Sequence, residues 1–293
     1  MMCQFLLEHK REFPVSRMCT VLGVSRSGYY AWKGRVPGPR EKANARLATE
    51  IESVHTESRG TYGSPRVHAA LVAHGVPCGR HRVARLMRAQ GLAGRRPRRR
   101  RPLTTRQQPG NRIAPNVLNR DFSATQPDQK WVADITYLDT DEGWLYLAVI
   151  LDLYSRRVIG WSMANHLRTS LVEAALEMAL ASRQPEESLI HHSDRGCQYT
   201  SDRYQARLND LKVVTPSMSG KGNCYDNAVA ESFFGTLKTE CVSRRYTSHA
   251  EARCAVFEFI EVWYNRQRLH SSLGYLSPEA FELQHTLHLE SVH

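Results

Sequence analysis

No stretch of the 293 residues is apolar for long enough to cross a membrane, and the opening ten, Met1 to Lys10, lack the apolar run of a secretion signal. A cytoplasmic location is expected. The seven cysteines are scattered, odd in number and contain no Cys-x-x-Cys, which argues against a disulfide framework or a ribbon-type zinc site. His74, Cys78 and His81 have a spacing open to partial metal ligation, but they read better as surface or core residues. No Gly-x-x-x-x-Gly-Lys-Ser/Thr phosphate loop occurs, so ATP is not implied. Leucine-zipper heptads are missing too. The most informative absence is that of carboxylates over one long segment. From Ser58 to Arg120, 63 residues hold 15 arginines and no lysine, aspartate or glutamate. The other 230 residues carry 25 basic and 29 acidic groups, so the whole net charge of +11 comes from that segment. Unneutralised arginine at this density is the footprint of a phosphate-binding surface. For Arg95 to Arg101 alone, a solvated basic linker and a DNA contact are equally good readings.

What is present divides the chain. Residues 1–40 read as a small helical segment: Pro14 and Ser16 open a helix through Leu22, Gly23 breaks it, and Ser25 caps a second helix carrying Tyr29, Tyr30 and Trp32. Residues 41–92 read as a helix-turn-helix-like DNA-binding domain. Leu47, Ile51 and Val54 line a first helix, Gly60 to Pro65 form a turn, and Val67, Ala70 and Leu71 line a second. A third runs from Arg80 to Gln90, with Val83, Leu86 and Met87 inward and Arg80, Arg82, Arg85 and Arg88 available to DNA. Residues 93–125, rich in Pro, Gly, Arg and Asn, read as an extended basic linker that includes Arg98, Arg99 and Arg100 as candidate DNA contacts.

Residues 126–285 change character. Trp131–Leu138, Trp144–Leu151 and Arg157–Met163 are strand-like runs joined by short links, which implies an antiparallel meander. An amphipathic helix over Arg168–Ser182, capped by Thr169 or Ser170, precedes a fourth strand at Ser188–His192. A helix over Ser201–Asp210 and a fifth strand at Lys212–Thr215 follow. The pattern predicts an α/β domain with a five-stranded mixed sheet flanked by helices, preceded by a small all-α region. A helix carrying Glu231 runs to about Val242, Ser248 to Glu251 form a capping box, and residues 286–293 are expected to be a frayed tail.

Three acids sit in or beside apolar elements: Asp134 inside the first strand, Asp194 at the end of the fourth, and Glu231 one turn into its helix. A carboxylate in a core strand costs several kcal/mol unless compensated, and three on separate elements can form one oxygen-rich metal site. Helix capping by Asp194 or Asp226 is the plainer alternative. Lys238, seven residues beyond Glu231, lies on the same helix face and would meet DNA phosphates.

Trp131 to Tyr137 resembles the first catalytic motif of the DDE transposases of bacterial insertion sequences. His192 to Ser201 resembles their second motif. Ser217 to Ala228, with Glu231-Ser232-Phe233-Phe234, Leu237-Lys238 and Glu240, resembles their third. Tyr264-Asn265, Arg268, His270, Leu273-Gly274-Tyr275 and Ser277-Pro278 also resemble that group, as do Gly60 to Val67 and Arg82 to Met87 in its helical DNA-binding segment. The resemblance is to the IS-three family, to the product of its downstream reading frame. It implies a ribonuclease-H-like, retroviral-integrase-like core with Asp134, Asp194 and Glu231 as catalytic metal ligands for Mg²⁺, Mn²⁺ being able to take its place. It further implies nicking at the element's terminal repeats and transfer of the freed 3′-hydroxyl to target DNA, by a homo-oligomer on DNA. Fusion or complex formation with the upstream-frame product is implied too, with association to the nucleoid. A catalytically inactive DNA-binding copy and a purely hydrolytic nuclease are the competing functions. One departure stands out: 36 residues separate Asp194 from Glu231, one more than is usual in the family. If the extra residue falls within the fifth strand, it would shift the register and damage the site.

Overall fold

The computed structural model describes residues 2–95, 113–220, 224–242 and 245–292; Arg98, Arg99 and Arg100 lie outside the described residues. Five strands form one sheet in the order β3-β2-β1-β4-β5. The apolar run Lys130–Thr140 is β1, and Gly143–Asp152 is β2. They pair antiparallel from Trp131↔Asp152 to Thr140↔Gly143, with Gly143 taking the positive φ of 99° that the tight turn needs. β3 (Val158–Ala164) continues the meander. Helix α7 (Thr169–Arg183) carries the chain to the far edge of β1, where β4 (Leu189–Ser193) adds in parallel. Helix α8 (Asp202–Asp210) then brings β5 (Val214–Met218) in parallel beside β4. This is the ribonuclease-H-like mixed sheet that the sequence pattern and the resemblance lead one to expect.

Both faces are covered. Trp131, Ala133, Ala148 and Ile150 pack under α7 and α8. Val132, Leu138, Leu147 and Val149 pack under α9 (Ala228–Glu240), α10 (His249–Phe257) and a π-helical turn over Glu258–Tyr264. The β4–β5 ladder runs unbroken from Leu189↔Val214 to Ser193↔Met218, so the extra residue before Glu231 does not disturb that register.

Several boundaries differ from the sequence reading, each for a physical reason. β5 begins at Val214, because Leu211 to Val213 close α8 with a Val214 N–H bond to the Leu211 carbonyl. It then runs past Pro216, which an edge strand tolerates. Neither Thr169 nor Ser170 caps α7; Arg168 holds the N-cap position without a side-chain bond. Helix α11 (Pro278–Val292) continues through the stretch read as a tail.

The linker reading also gives way over the described part from residue 113 onward. Leu118 is 1% exposed and joins the core beneath α9. The N–H groups of Val117 and Leu118 both donate to Ser217 Oγ, at 3.0 and 3.1 Å. Residues 113–122 thus form a strap on the sheet domain.

The N-terminal third contains two helical groups. Helices α1 (Met2–Glu8), α2 (Val15–Val21) and α3 (Arg26–Lys33) enclose a small core of Leu6, Met18, Cys19 and Tyr29. Helices α4 (Pro39–Glu57), α5 (Ser64–Ala73) and α6 (Arg80–Ala89) bury Leu47, Ile51, Val67, Leu71, Val83 and Met87. The second group is docked on the sheet domain: the Tyr62 ring lies 5.7 Å from Trp263, its hydroxyl accepts the Leu269 N–H at 2.7 Å, and Arg66 Nε donates to the Leu269 carbonyl at 2.8 Å.

Candidate active site

The site follows from unequal strand lengths. β1 is 11 residues long but pairs with β4 only from Lys130 to Val132. Beyond that point β1 continues beside β2 alone, leaving a notch past the end of β4. Asp134 lies on β1 at this notch. Side chains alternate along a strand, so Asp134 shares the face of Val132 and Leu138, the one covered by α9. Asp194 directly follows β4. Carrying the Val132↔His192 pairing forward by two residues sets Asp194 beside Asp134. Glu231 projects from the first turn of α9, which packs across β1, and is exposed.

Electrostatics ties the three together. The Asp134 carboxyl is held well above its ordinary range, first by desolvation and then by the charge of Asp194; Glu231 pushes the same way. The Ile135 N–H, donating to Asp134 Oδ1 at 2.8 Å, and the Lys238 ammonium oppose the shift. By surface area Asp134 is only half-buried, yet its carboxyl is crowded enough for desolvation to be the largest effect. Glu231 is also raised, by desolvation. Asp194 Oδ1 accepts the Gly196 N–H at 2.9 Å. A Cβ at residue 196 would stand 3.0 Å from that same oxygen, so glycine keeps the loop tight around the carboxylate.

Behind Asp194 lies a directional hydrogen-bond chain. Ser217 Oγ already accepts two N–H groups from the strap, so its one proton donates to His192 Nδ1, 2.8 Å away. The ring proton therefore sits on Nε2 and donates to Ser219 Oγ at 3.1 Å. Burial keeps this imidazole neutral, its pKa lowered to about 4. The neighbouring His191 points to the other face and meets the Tyr204 hydroxyl at 2.8 Å. Asp226, 1% exposed, accepts from Asn116 Nδ2, Arg120 Nε and the Gly220 N–H at 2.9, 3.3 and 3.1 Å. It ties the strap to the loop before α9. The roles of Asn116, Arg120 and Ser217 were not read from the sequence, where the apolar pair Val117-Leu118 between polar residues was the available signal.

The basic candidates fall into three groups. Arg80, Arg85 and Arg88 on α6 are exposed. Arg82 is half-buried, and its Nε donates to Asn44 Oδ1 on α4 at 2.9 Å. Lys238 Nζ lies 5.0 Å from the centre of the Tyr137 ring, within reach of Asp134.

Comparison with known proteins sets this geometry in context. A family described as "Integrase core domain" matches residues 124–224, a second of the same description matches 212–278, and one described as "HTH-like domain" matches 42–100. "Transposase InsF for insertion sequence IS3A" of Escherichia coli (strain K12) is 45% identical over 281 residues, spanning 95% of this chain and 97% of its own length. "Insertion element IS600 uncharacterized 31 kDa protein" of Shigella sonnei is 46% identical over 265 residues, spanning 90% of this chain and 97% of its own. Among solved structures, the simian T-cell lymphotropic virus intasome in complex with PP2A regulatory subunit B56 gamma matches at a TM-score of 0.46 and 16% identity, over 79% of this chain and 74% of that one. The HTLV-2 integrase catalytic core domain in complex with magnesium (trimeric form) matches at a TM-score of 0.40 and 14% identity, over 55% of this chain and 99% of that one.

Proposed function

Because the chain belongs to the insertion-sequence transposases of the IS3 family, we propose that it nicks and joins DNA strands at the ends of its own element, with Asp134, Asp194 and Glu231 as the catalytic carboxylates. The observation that carries this reading is the shared field at the notch: Asp194 and Glu231 both disfavour the charged form of Asp134. Mutual repulsion of hard oxygen donors is what a divalent cation relieves, so the residues fit Mg²⁺, or Mn²⁺ in its place. Among the described residues, no three acidic, His or Cys side chains stand close enough to enclose an ion. When bound, such ions supply an activated oxygen nucleophile and stabilise the leaving oxygen of a phosphodiester.

The protein's own residues do the rest. The sheet fixes Asp134, and the Gly196 N–H turns Asp194. Helix α9 brings Glu231 from the third direction. Lys238, held beside Tyr137, faces the phosphates of the strand that enters the notch. Arg80, Arg85 and Arg88 contact the terminal repeat through α6, Arg82 braces that helix on α4, and Arg98, Arg99 and Arg100 add phosphate contacts. Partners are terminal-repeat and target DNA, further copies of the chain assembled on that DNA, and the upstream-frame product as a fusion or complex. Among the described residues no helix is long and apolar enough to cross a membrane, in keeping with action in the cytoplasm at the nucleoid.

A strand-transfer assay with Mg²⁺ and terminal-repeat duplex tests this. Joined product is expected. Binding without cleavage would identify a catalytically inactive DNA-binding copy, and cleavage without joining a hydrolytic nuclease.

A further inference from the structure

The HTH-like family match begins at residue 42 and leaves the first three helices unassigned. We propose that α2 and α3 form a second duplex-DNA reader, separate from α4–α6. The local geometry is that of a helix-turn-helix. Helix α2 ends at Val21, Gly23 turns the chain with a φ of 65°, and the Ser25 hydroxyl caps α3 by accepting the Gly28 N–H at 3.0 Å. The group has a small core of its own, with α1, α2 and α3 closing on one another around Leu6, Met18, Cys19 and Tyr29.

Its outer face has the chemistry of a nucleic-acid contact. From Phe13 to Arg40, 28 residues contain five cations and no acid. Tyr29 is the single buried residue of α3. Arg26, Tyr30 and Lys33, at the first, fifth and eighth positions of that helix, share one exposed side, with Tyr30 57% exposed. Arg17 is exposed on α2, placed for a backbone phosphate. Among the described residues neither Arg26 nor Lys33 pairs with an acid, whereas Arg35 is committed to Glu41 at 2.6 Å. That bond, with the Gly38 N–H on the other Glu41 oxygen at 3.0 Å, fixes the joint between α3 and α4. An arginine and a lysine flanking an aromatic, with no carboxylate on the helix, complement a phosphate-lined groove better than an apolar protein surface.

Helix α6 folds back along the N-terminal half of α4, the end joined to α3: Arg82 at its start donates to Asn44 Oδ1 at 2.9 Å, and Gln90 just past its end donates to the Ala48 carbonyl at 3.1 Å. The two readers therefore address adjoining stretches of one duplex.

The inference rests on the reading of this chain as an enzyme of DNA ends, and the test separates the two. Hydroxyl-radical footprinting of the full chain on the terminal repeat that flanks its reading frame is expected to show two adjoining protected zones. The triple variant Arg26→Ala, Tyr30→Ala, Lys33→Ala should keep the zone made by α6 and lose the other. Its log–log salt slope should flatten by about 2, the value of two lost phosphate contacts. The charge-only variant Arg26→Gln, Lys33→Gln, which keeps the aromatic, should flatten the slope equally. An unchanged footprint and slope would overturn the proposal alone. A change in oligomeric state with an unchanged footprint would overturn it in favour of a protein interface. A wild-type chain that protects no DNA anywhere would overturn the underlying reading, and the proposal with it.

Discussion

Replacing Asp134 by Asn should abolish strand transfer and at the same time stabilise the fold. The substitution is isosteric, and an amide Oδ1 can keep the bond from the Ile135 N–H. What it removes is a charge that desolvation, Asp194 and Glu231 all disfavour. At an effective dielectric near 20, a like charge is worth about 4 kcal/mol at 4 Å and about 2 kcal/mol at 8 Å, and solvent at a half-buried site cuts this to a fraction. Relief of about 1 kcal/mol would raise the melting temperature by roughly 2–4 °C for a chain of this size. A divalent cation inverts the comparison. At about 100 times its dissociation constant, Mg²⁺ should stabilise the wild type by roughly 2.7 kcal/mol, and the variant far less. Thermal melts of both proteins with EDTA and with saturating Mg²⁺ therefore cross: the variant melts higher without the ion, the wild type higher with it. Two parallel shifts on adding Mg²⁺ would show that Asp134 is not a ligand. A variant less stable than wild type in EDTA would show that its charge is compensated in the folded chain.

Three further outcomes test the scaffold. Gly160→Ala should lower the melting temperature sharply, because a Cβ there would stand 2.3 Å from the Ala175 carbonyl oxygen and 2.8 Å from Ala179, so α7 must lift off β3; overpacking of this kind costs about 1–3 kcal/mol or more, and an unchanged melt would show that α7 packs differently. Glu240→Ala should cost about 3–5 kcal/mol in urea unfolding, since it strands the buried Arg268 guanidinium, now 2.7 Å from Glu240, and deprives Trp263 Nε1 of its acceptor; a loss under 1 kcal/mol would mean that water reaches the pair. Acid should also weaken the fold. Burial holds His191 and His270 at about 3 in the folded state against an ordinary 6.5, so the unfolded chain binds more protons between those values. Stability is complete above pH 6.5 and falls below it, by up to about 1.4 kcal/mol per pH unit for each histidine. Urea midpoints at pH 7.5 and 5.5 check this, and equal midpoints would contradict it.

The elements that carry Asp134, Asp194 and Glu231 were legible because each is marked by its own neighbours: a long apolar strand, a short one, and a helix with a continuous stripe. The antiparallel meander followed from its short links and the mixed character of the sheet from the strand–helix alternation after it, while the strand order came only with the structure. What could not be read was anything set by a partner remote in sequence. His192 looks like one of two equivalent histidines, and its tautomer is decided by serines 25 and 27 residues away. The first of them, Ser217, is in turn oriented by backbone N–H groups about 100 positions upstream. The strap was read as linker because its composition is polar and proline-containing, while its order comes from the buried Leu118 and from bonds to Ser217 of β5, to Asp226 and to Lys130 of β1. Pro216 misled in the same way, since a proline ends most strand readings but not one at a sheet edge.

The residues that carry the family resemblance divide by what they touch, and the division bears on how DNA binding reaches the site. Asp134, Asp194, Glu231 and Lys238 line the notch. Tyr62, Arg66, Glu240, Tyr264, Asn265, Arg268 and His270 lie behind it, and all serve one junction. Asn265 bonds both the N–H and the carbonyl of Val158, fastening the turn after the π-helical segment to β3. Arg268 grips Glu240, the last residue of α9. The next residue, Leu269, gives its N–H to the hydroxyl of Tyr62, in the turn that leads into α5, and its carbonyl to Arg66, in the first turn of that helix. A single short loop therefore clamps the far end of the helix that carries Glu231 and the entrance of the helical group that carries α6. Displacement of α5 and α6 by a bound duplex must load this loop, and the loop in turn bears on the last turn of α9, two turns from Glu231. The helical group is thus built into the frame of the catalytic domain, and the side chains that join them are chosen for that contact, which explains why so many of the recognisable residues never approach the site.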